Sequence, residues 1–141
     1  MFFFLYLFYN QYAEIKGRGG DTRKAQLNML ILSAALITMY IILAFVVYGY
    51  FYPWFLERNL SVAGMSGRTI GRFLAGAMGL IVFFSLRSMI GNKSWFDQAV
   101  TQYEKMPTEE QKRVAKKGIQ YFVLASLPVA GFIIMALLSV F

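Results

Sequence analysis

The sequence contains no cysteine and no histidine. Disulfides and thiolate nucleophiles need cysteine, and structural zinc sites and iron–sulfur clusters draw their ligands from cysteine and histidine. Ordinary haem ligation and Ser-His-Asp catalysis need histidine. All of these sites are therefore excluded, and the redox compartment of the protein cannot be read from its cysteines.

Charged residues are also scarce. They make up 15% of the 141 residues, whereas hydrophobic residues make up 58%. Soluble domains average about 25% charged and about 45–50% apolar residues. A core of this size cannot bury so much apolar surface, so we expect the excess to face lipid or other proteins. The aromatic content of 18% suits the aromatic belts of membrane interfaces.

Three apolar runs are long enough to cross a bilayer, because about 20 apolar residues span a hydrocarbon core of about 30 Å as a helix. The runs predict an all-α membrane protein with three transmembrane helices. The predicted organisation is an N-terminal segment at 1–26, spans at 27–52, 69–90 and 119–141, a short outside loop at 53–68 and an amphipathic helical loop at 91–118.

The N-terminal segment opens with nine apolar residues, "MFFFLYLFY", a run too short to cross a bilayer. It lacks the basic start and the cleavage site of a signal peptide. We predict an aromatic segment at the interface or against a partner, with a buried half-helix as the alternative, followed by a basic turn. The predicted interfacial anchors are Phe2, Phe3, Phe4, Tyr52, Trp54 and Trp95.

The loop at 91–118 has helical patterning. Ser94 is a candidate N-cap, with Asp97 three residues later, and Pro107 ends the helix. We expect this helix to rest on the membrane or on a neighbour, and a second helix from Thr108 to continue through Gly118 into the third span. The apolar face of the first helix consists of Phe96, Ala99, Val100, Tyr103 and Met106.

The basic residues give an orientation. They are concentrated before the first span and between the second and third, so the positive-inside rule predicts an inside N-terminus and an outside C-terminus. The net charge of +7 is explained by this orientation and by anionic lipid, and nucleic acid is not an expected partner. Predicted contacts with anionic lipid or a partner are Arg68, Arg72, Arg87, Lys112, Arg113, Lys116 and Lys117.

Two of these residues have a second interpretation. Arg72 and Arg87 flank the apolar stretch of the second span and can snorkel to opposite interfaces. The alternative is that either one binds an anionic ligand or a partner carboxylate. Arg68 lies one turn from Arg72, and together they could bind a phosphate or pair with Glu57.

Small residues recur at every fourth position of the second span and predict a groove for another helix, because small side chains let helix backbones approach closely in lipid. The partner is either another span of this chain or a helix of another subunit. Pro128 predicts a kink in the third span. The predicted packing residues are Gly67, Gly71, Ala75, Gly79, Ala125, Pro128 and Gly131.

No Asp or Glu lies within a predicted span, whereas proton relays and cation-coupled carriers usually need one. We expect a non-catalytic accessory subunit of a larger integral membrane complex, such as a respiratory, photosynthetic or secretion complex. It would pack against partner helices and bind structural phospholipid, with no other cofactor and no small-molecule substrate. The expected location is a bacterial inner membrane or an organellar inner membrane.

Other functions remain open. One is a small oligomeric transporter or pore component that is not coupled to protons. Another is a membrane regulator that senses anionic lipid through the basic residues at 112–117. A third is an enzyme that completes its site with a partner's residues.

Overall fold

A computed structural model describes residues 2–51 and 67–138, which form α-helices and contain no strand. The predicted all-α class is therefore confirmed for this part of the chain. The helices are α1 (Phe2–Gly17), α2 (Lys24–Phe51), α3 (Gly67–Ile90), α4 (Lys93–Lys105) and α5 (Thr108–Leu138). By length and composition, α2, α3 and α5 could each cross a membrane, which agrees with the three predicted spans. Tyr52 and Trp54 lie outside the described residues.

Helix α1 is a buried helix of the protein's core. Its consecutive residues Leu7, Phe8 and Tyr9 are all buried, and Tyr12 is buried one turn later. Consecutive residues of a helix point in different directions, so burying all three requires neighbours on several sides. Those neighbours are α5, α2 and α4. A helix that is apolar all round is typically buried, and α1 follows this rule.

Helices α1 and α5 run antiparallel. The Asn10 side-chain amide donates a hydrogen bond to the Ala115 carbonyl at 3.1 Å, and the Tyr6 and Tyr121 ring centroids are 5.8 Å apart. The N-terminal end of α1 therefore lies beside the part of α5 that enters the predicted third span. Its C-terminal end lies beside the polar start of α5.

A short turn returns the chain from α1 to α2. Gly19 has φ of 68°, a left-handed conformation that glycine adopts without a steric penalty. The Asp21 carboxylate accepts a hydrogen bond from the Arg23 backbone N–H at 3.1 Å, next to the start of α2. The basic turn thus places α2 directly alongside α1.

Helix α2 is central among the three spans. The main contacts of α3 are with α2, whereas α5 contacts α1 and α2. The Tyr40 hydroxyl of α2 donates a hydrogen bond to the Ala125 carbonyl of α5 at 2.5 Å. These three long apolar helices therefore form an open layer with α2 in the middle, and the outer faces of α3 and α5 have few contacts within the described part of the chain.

The N-cap predicted for α4 was wrong. Asn92, not Ser94, caps the helix: its side-chain oxygen accepts a hydrogen bond from the Trp95 backbone N–H at 2.7 Å. Asparagine is as good a cap as serine, and Asn92 has the extended backbone that a cap requires. After Pro107, α5 runs as one helix of 31 residues through Gly118, as the sequence predicted.

Candidate functional site

Several helix ends meet at one end of the bundle. The Gln26 side-chain amide at the start of α2 donates hydrogen bonds to the Ile90 carbonyl at 2.8 Å and the Asn92 carbonyl at 3.1 Å. These bonds join the start of α2 to the end of α3. Helix α1 joins α4 and α5 at the same level. We call this region the basic end, because most of the basic residues lie in it. They are Lys16, Arg18, Arg23, Lys24, Arg87, Lys93, Lys105, Lys112, Arg113, Lys116 and Lys117.

A polar network joins α1 to α4 at the basic end. The Tyr12 hydroxyl and the Lys16 ammonium each donate a hydrogen bond of 2.9 Å to Oε1 of Glu104. The Lys16 ammonium also lies 5.6 Å from the centre of the Tyr12 ring. The hydrogen bond from Lys16, followed by that from Tyr12, holds the pKa of Glu104 below its usual value. The same bond to Glu104 raises the pKa of Lys16.

The phenols beside this network are kept neutral. Burial raises the pKa of Tyr9, Tyr12 and Tyr103, because it penalises the charged phenolate. The Tyr9 hydroxyl donates to the Gln102 side-chain oxygen at 3.3 Å, and the Tyr9 and Tyr103 ring centroids are 5.1 Å apart. A raised pKa makes each phenol a weaker acid, so all three stay neutral. Their hydrogen bonds and ring contacts join α4 to α1.

Phe8 is the centre of the aromatic packing between α1 and α4. Its ring centroid is 5.3 Å from that of Trp95 and 5.7 Å from that of Phe96. Edge-to-face rings at such separations contribute beyond the apolar area that they bury. Trp95, which the sequence predicted as an interfacial anchor, is half-buried and packs on Phe8.

Two neighbouring grooves follow the α1–α5 seam and share Tyr6. The polar groove, of about 460 Å³, begins at the first turns of α5 and is lined by Tyr6, Glu109, Glu110, Arg113, Val114 and Lys117. The apolar groove, of about 590 Å³, is lined by Phe2, Phe3, Tyr6 and Tyr121. Together they change from charged to aromatic in the direction in which α5 enters its span.

A third groove lies on the other side of α1, between α1, the end of α3 and α4. Its volume is about 350 Å³, and its lining is largely apolar, with the amides of Gln98 and Gln102 as polar groups. Phe4, one of the predicted anchors, lines this groove, whereas Phe3 lines the apolar groove of the seam. Phe2 lines both and is 75% exposed.

The predicted packing residues are not equivalent in the structure. A Cβ atom on Gly79 would lie 3.8 Å from the Thr38 hydroxyl oxygen, so Gly79 faces α2 of the same chain. Ala75 is half-buried. Gly67 and Gly71 lie in the first turns of α3, and the structure does not describe what surrounds them.

The predicted packing residues of α5 also differ from one another. Ala125 is half-buried and accepts the hydrogen bond from Tyr40. Pro128 is exposed, and a Cβ atom on Gly131 would meet nothing within 4 Å. The Ser126 hydroxyl donates to the Val123 carbonyl at 2.8 Å, in the turn before the proline.

The predicted lipid contacts are divided between two regions. Arg72 and Arg87 are exposed near opposite ends of α3, and the side chain of Arg68 lies outside the described part, as does Glu57. On α5, Lys112 pairs with Glu109 at 3.4 Å and Lys116 is exposed. Arg113 and Lys117 are brought together with Tyr6 in the polar groove.

Sequence reasoning missed Gly118. A Cβ atom there would collide with the Tyr6 backbone and stand 3.0 Å from Cβ of Asn10. The signal was present, because Ala115, Gly118 and Phe122 recur at helical spacing. It was overlooked because α1 was expected at the interface or against a partner. Tyr40 and the Lys16–Glu104 ion pair were missed because their partners are distant in sequence.

Within residues 2–51 and 67–138, no three Asp or Glu side chains lie together as metal ligands would. Comparison of the chain with protein-family models, with curated proteins and with solved structures found no match. The candidate site is the α1–α5 seam at the basic end, where the polar groove and the apolar groove share Tyr6.

Proposed function

We propose that this chain is a non-catalytic subunit of a larger integral membrane assembly, which packs against partner helices and holds phospholipid. The observation that carries the proposal is how little of each span is covered by the chain itself. In the most apolar parts of α2, α3 and α5, 28%, 6% and 11% of the residues are buried. An open layer of spans offers two broad apolar faces to neighbours.

Two glycine positions support partner helices, and not lipid alone, as the neighbours that cover these apolar faces. Cβ atoms on Gly76 of α3 and Gly131 of α5 would meet nothing within 4 Å, so the backbone at both positions is open to a neighbour. Apolar side chains gain little by leaving lipid tails for each other, whereas close backbone approach at small residues stabilises helix pairs. A partner helix at these positions gains contacts that lipid cannot match.

The orientation belongs to the same proposal. With the basic end on the cytoplasmic, matrix or stromal side, the positive-inside rule is satisfied, because the other basic residues are Arg58, Arg68 and Arg72 alone. The outer ends of α2, α3 and α5 then face the opposite compartment. The membrane is a bacterial inner membrane or an organellar inner membrane, and the assembly is of the respiratory, photosynthetic or secretion kind.

The test is purification from the native membrane in mild detergent, followed by identification of the copurifying proteins. We expect a reproducible set of integral membrane subunits with the wild-type chain. Gly76→Leu and Gly131→Leu should reduce their yield. Gly76→Ala and Gly131→Ala are the matched controls, because alanine keeps the small surface that a partner helix can approach, and a Cβ atom at either position meets nothing within 4 Å in this chain.

Two results would contradict the proposal. One is purification of the chain alone as a homo-oligomer that transports a solute in liposomes. The other is an unchanged set and yield of partners in both Gly76→Leu and Gly131→Leu.

A further inference from the structure

We infer that the α1–α5 seam binds one phospholipid whose head group carries both a phosphate and a primary ammonium, as phosphatidylethanolamine does. The inference deepens the lipid-holding part of the proposed function and does not depend on a partner subunit. It rests on three features of the seam: its charge pattern, its order along α5 and the shared position of Tyr6.

The charged side chains of the polar groove are complementary to the two charges of a zwitterionic head group. The polar groove contains two carboxylates, on Glu109 and Glu110, and two cations, on Arg113 and Lys117. Glu109 already has Lys112 as a partner at 3.4 Å. Glu110, Arg113 and Lys117 make no ion pair with any residue of the part that the structure describes. One negative and two positive side chains are thus available to a ligand.

This arrangement discriminates between head groups. An anionic head group without an ammonium would gain from Arg113 and Lys117, but Glu110 would repel it. A phosphate that carries an ethanolamine arm can bind the two cations while its ammonium donates hydrogen bonds to Glu110. A choline head group carries a charge but has no N–H to donate, so it loses that last interaction.

The order of residues along α5 matches the order of groups in a phospholipid. Glu110, Arg113, Lys117 and Tyr121 follow one another at spacings of three or four residues, so they form one face of the helix. From Arg113 to Tyr121 that face extends about 12 Å. The charged positions lie at the basic end, and Tyr121 lies just inside the predicted third span. A head group at Arg113 therefore directs its acyl chains along the apolar groove.

Tyr6 connects the two parts. It lines both grooves, and its ring centroid is 6.5 Å from that of Phe2 and 5.8 Å from that of Tyr121. Aromatic side chains with a polar tip are favoured at the level where head groups meet acyl chains. Gly118 fixes this position, because it brings the Tyr6 backbone against α5.

The test uses the purified full-length chain in detergent micelles. Phosphatidylethanolamine, phosphatidylglycerol and phosphatidylcholine with identical acyl chains are supplied in equal amounts, and native mass spectrometry counts the lipids retained. We expect one phosphatidylethanolamine per chain, retained about fivefold over each of the other two lipids. This factor corresponds to about 1 kcal/mol, the typical net contribution of one hydrogen bond.

The variants separate the two charges of the site. Arg113→Gln combined with Lys117→Gln should abolish selective retention. Glu110→Gln should change the preference to phosphatidylglycerol, a gain that a misfolded chain would not show. Lys116→Gln is the matched control, since Lys116 is an exposed cation of the same helix outside the groove, and it should leave retention unchanged.

The inference is overturned if the wild-type chain prefers phosphatidylglycerol or retains the three lipids equally, or if Lys116→Gln weakens retention as much as the paired variant. It is also overturned if a protein segment, and no lipid, is found at the seam. None of these results would change the outcome of the copurification test, because that test measures partner subunits and not lipid. Conversely, loss of the partners would leave lipid selection by the isolated chain intact.

Discussion

Gly118 of α5 lies against the main chain of Tyr6 in α1 so closely that there is no room for a Cβ atom. Two helices reach such a distance only where one of them carries glycine. This approach brings Tyr6 into the α1–α5 seam and fixes the antiparallel pairing that Asn10 reinforces by its hydrogen bond to the Ala115 carbonyl. The seam therefore depends on one residue without a side chain.

The first prediction concerns that residue. Gly118→Ala should destabilise the protein by about 1–3 kcal/mol, the usual cost of forcing extra atoms into a packed site. Thermal unfolding in detergent measures the effect. Gly131→Ala is the control, because a Cβ atom there meets nothing and alanine favours a helix by about 1 kcal/mol over glycine. Equal unfolding temperatures for the two variants would contradict the close approach.

The second prediction concerns the aromatic core. Phe8→Ala should cost about 3–5 kcal/mol of stability, because the ring is fully buried and contacts Trp95 and Phe96. Phe73→Ala is the control, since Phe73 is 71% exposed on α3. Denaturant unfolding followed by tryptophan fluorescence reports the difference, because Trp95 packs on Phe8. A larger loss for Phe73→Ala would mean that α1 is not the core helix.

The third prediction concerns pH. The pKa of Glu104 is held below its usual value, so the Lys16–Glu104 pair stabilises the protein above about pH 4.3 and is lost as the pH falls through the folded-state pKa. The pKa of Lys16 is raised, so its contribution is present below about pH 10.4 and is lost as the pH rises through the higher folded-state value. The pair should therefore act between about pH 5 and 10.

The measurement is the difference in unfolding temperature between the wild-type chain and Glu104→Gln across this range. Both partners are about half exposed, so we expect a small effect, below about 1 kcal/mol, that weakens further in high salt. The difference should shrink as the pH falls below about 4.3 and through the lower folded-state pKa of Glu104. A difference that does not change with falling pH would show that the carboxylate charge of Glu104 does not contribute.

The fourth prediction concerns the contact between α2 and α5. Tyr40→Phe removes the hydrogen bond to the Ala125 carbonyl and should cost about 0.6 kcal/mol, a typical value between helices in membranes. Hydrogen exchange of residues 123–130 should become faster. Tyr121→Phe is the control, because the ring contact of Tyr121 with Tyr6 does not need the hydroxyl. Faster exchange in both variants would indicate a general loosening of α5.

The sequence predicted the lengths and types of the long helices well, for a simple physical reason. A run of about 20 apolar residues without Asp or Glu can satisfy its backbone in lipid only as a helix. The same reasoning predicted the helix break at Pro107 and the continuation of α5 through Gly118. It predicted Ser94 as the cap and did not consider Asn92. Serine and asparagine are equally good caps, and only the backbone geometry at Asn92 separates them.

The partners of each surface could not be predicted in this way. Gly79 faces Thr38 of the same chain while Gly76 and Gly131 are open, although all three sit in apolar helices with similar neighbours in sequence. Periodicity describes one helix at a time. It therefore cannot tell which neighbour covers which face.

The sequence by itself determined that this protein has three long apolar helices, a concentration of basic residues outside them, and no cysteine or histidine for thiol, zinc or iron–sulfur sites. What only the tertiary structure decided is that α1 folds back along α5 and buries Phe8. That pairing also gathers Tyr6, Glu110, Arg113 and Lys117 into one groove. The reason is that Tyr6 lies about 100 positions away from the other three residues in the sequence. Contacts over such a distance follow from helix packing in three dimensions, which no local pattern encodes.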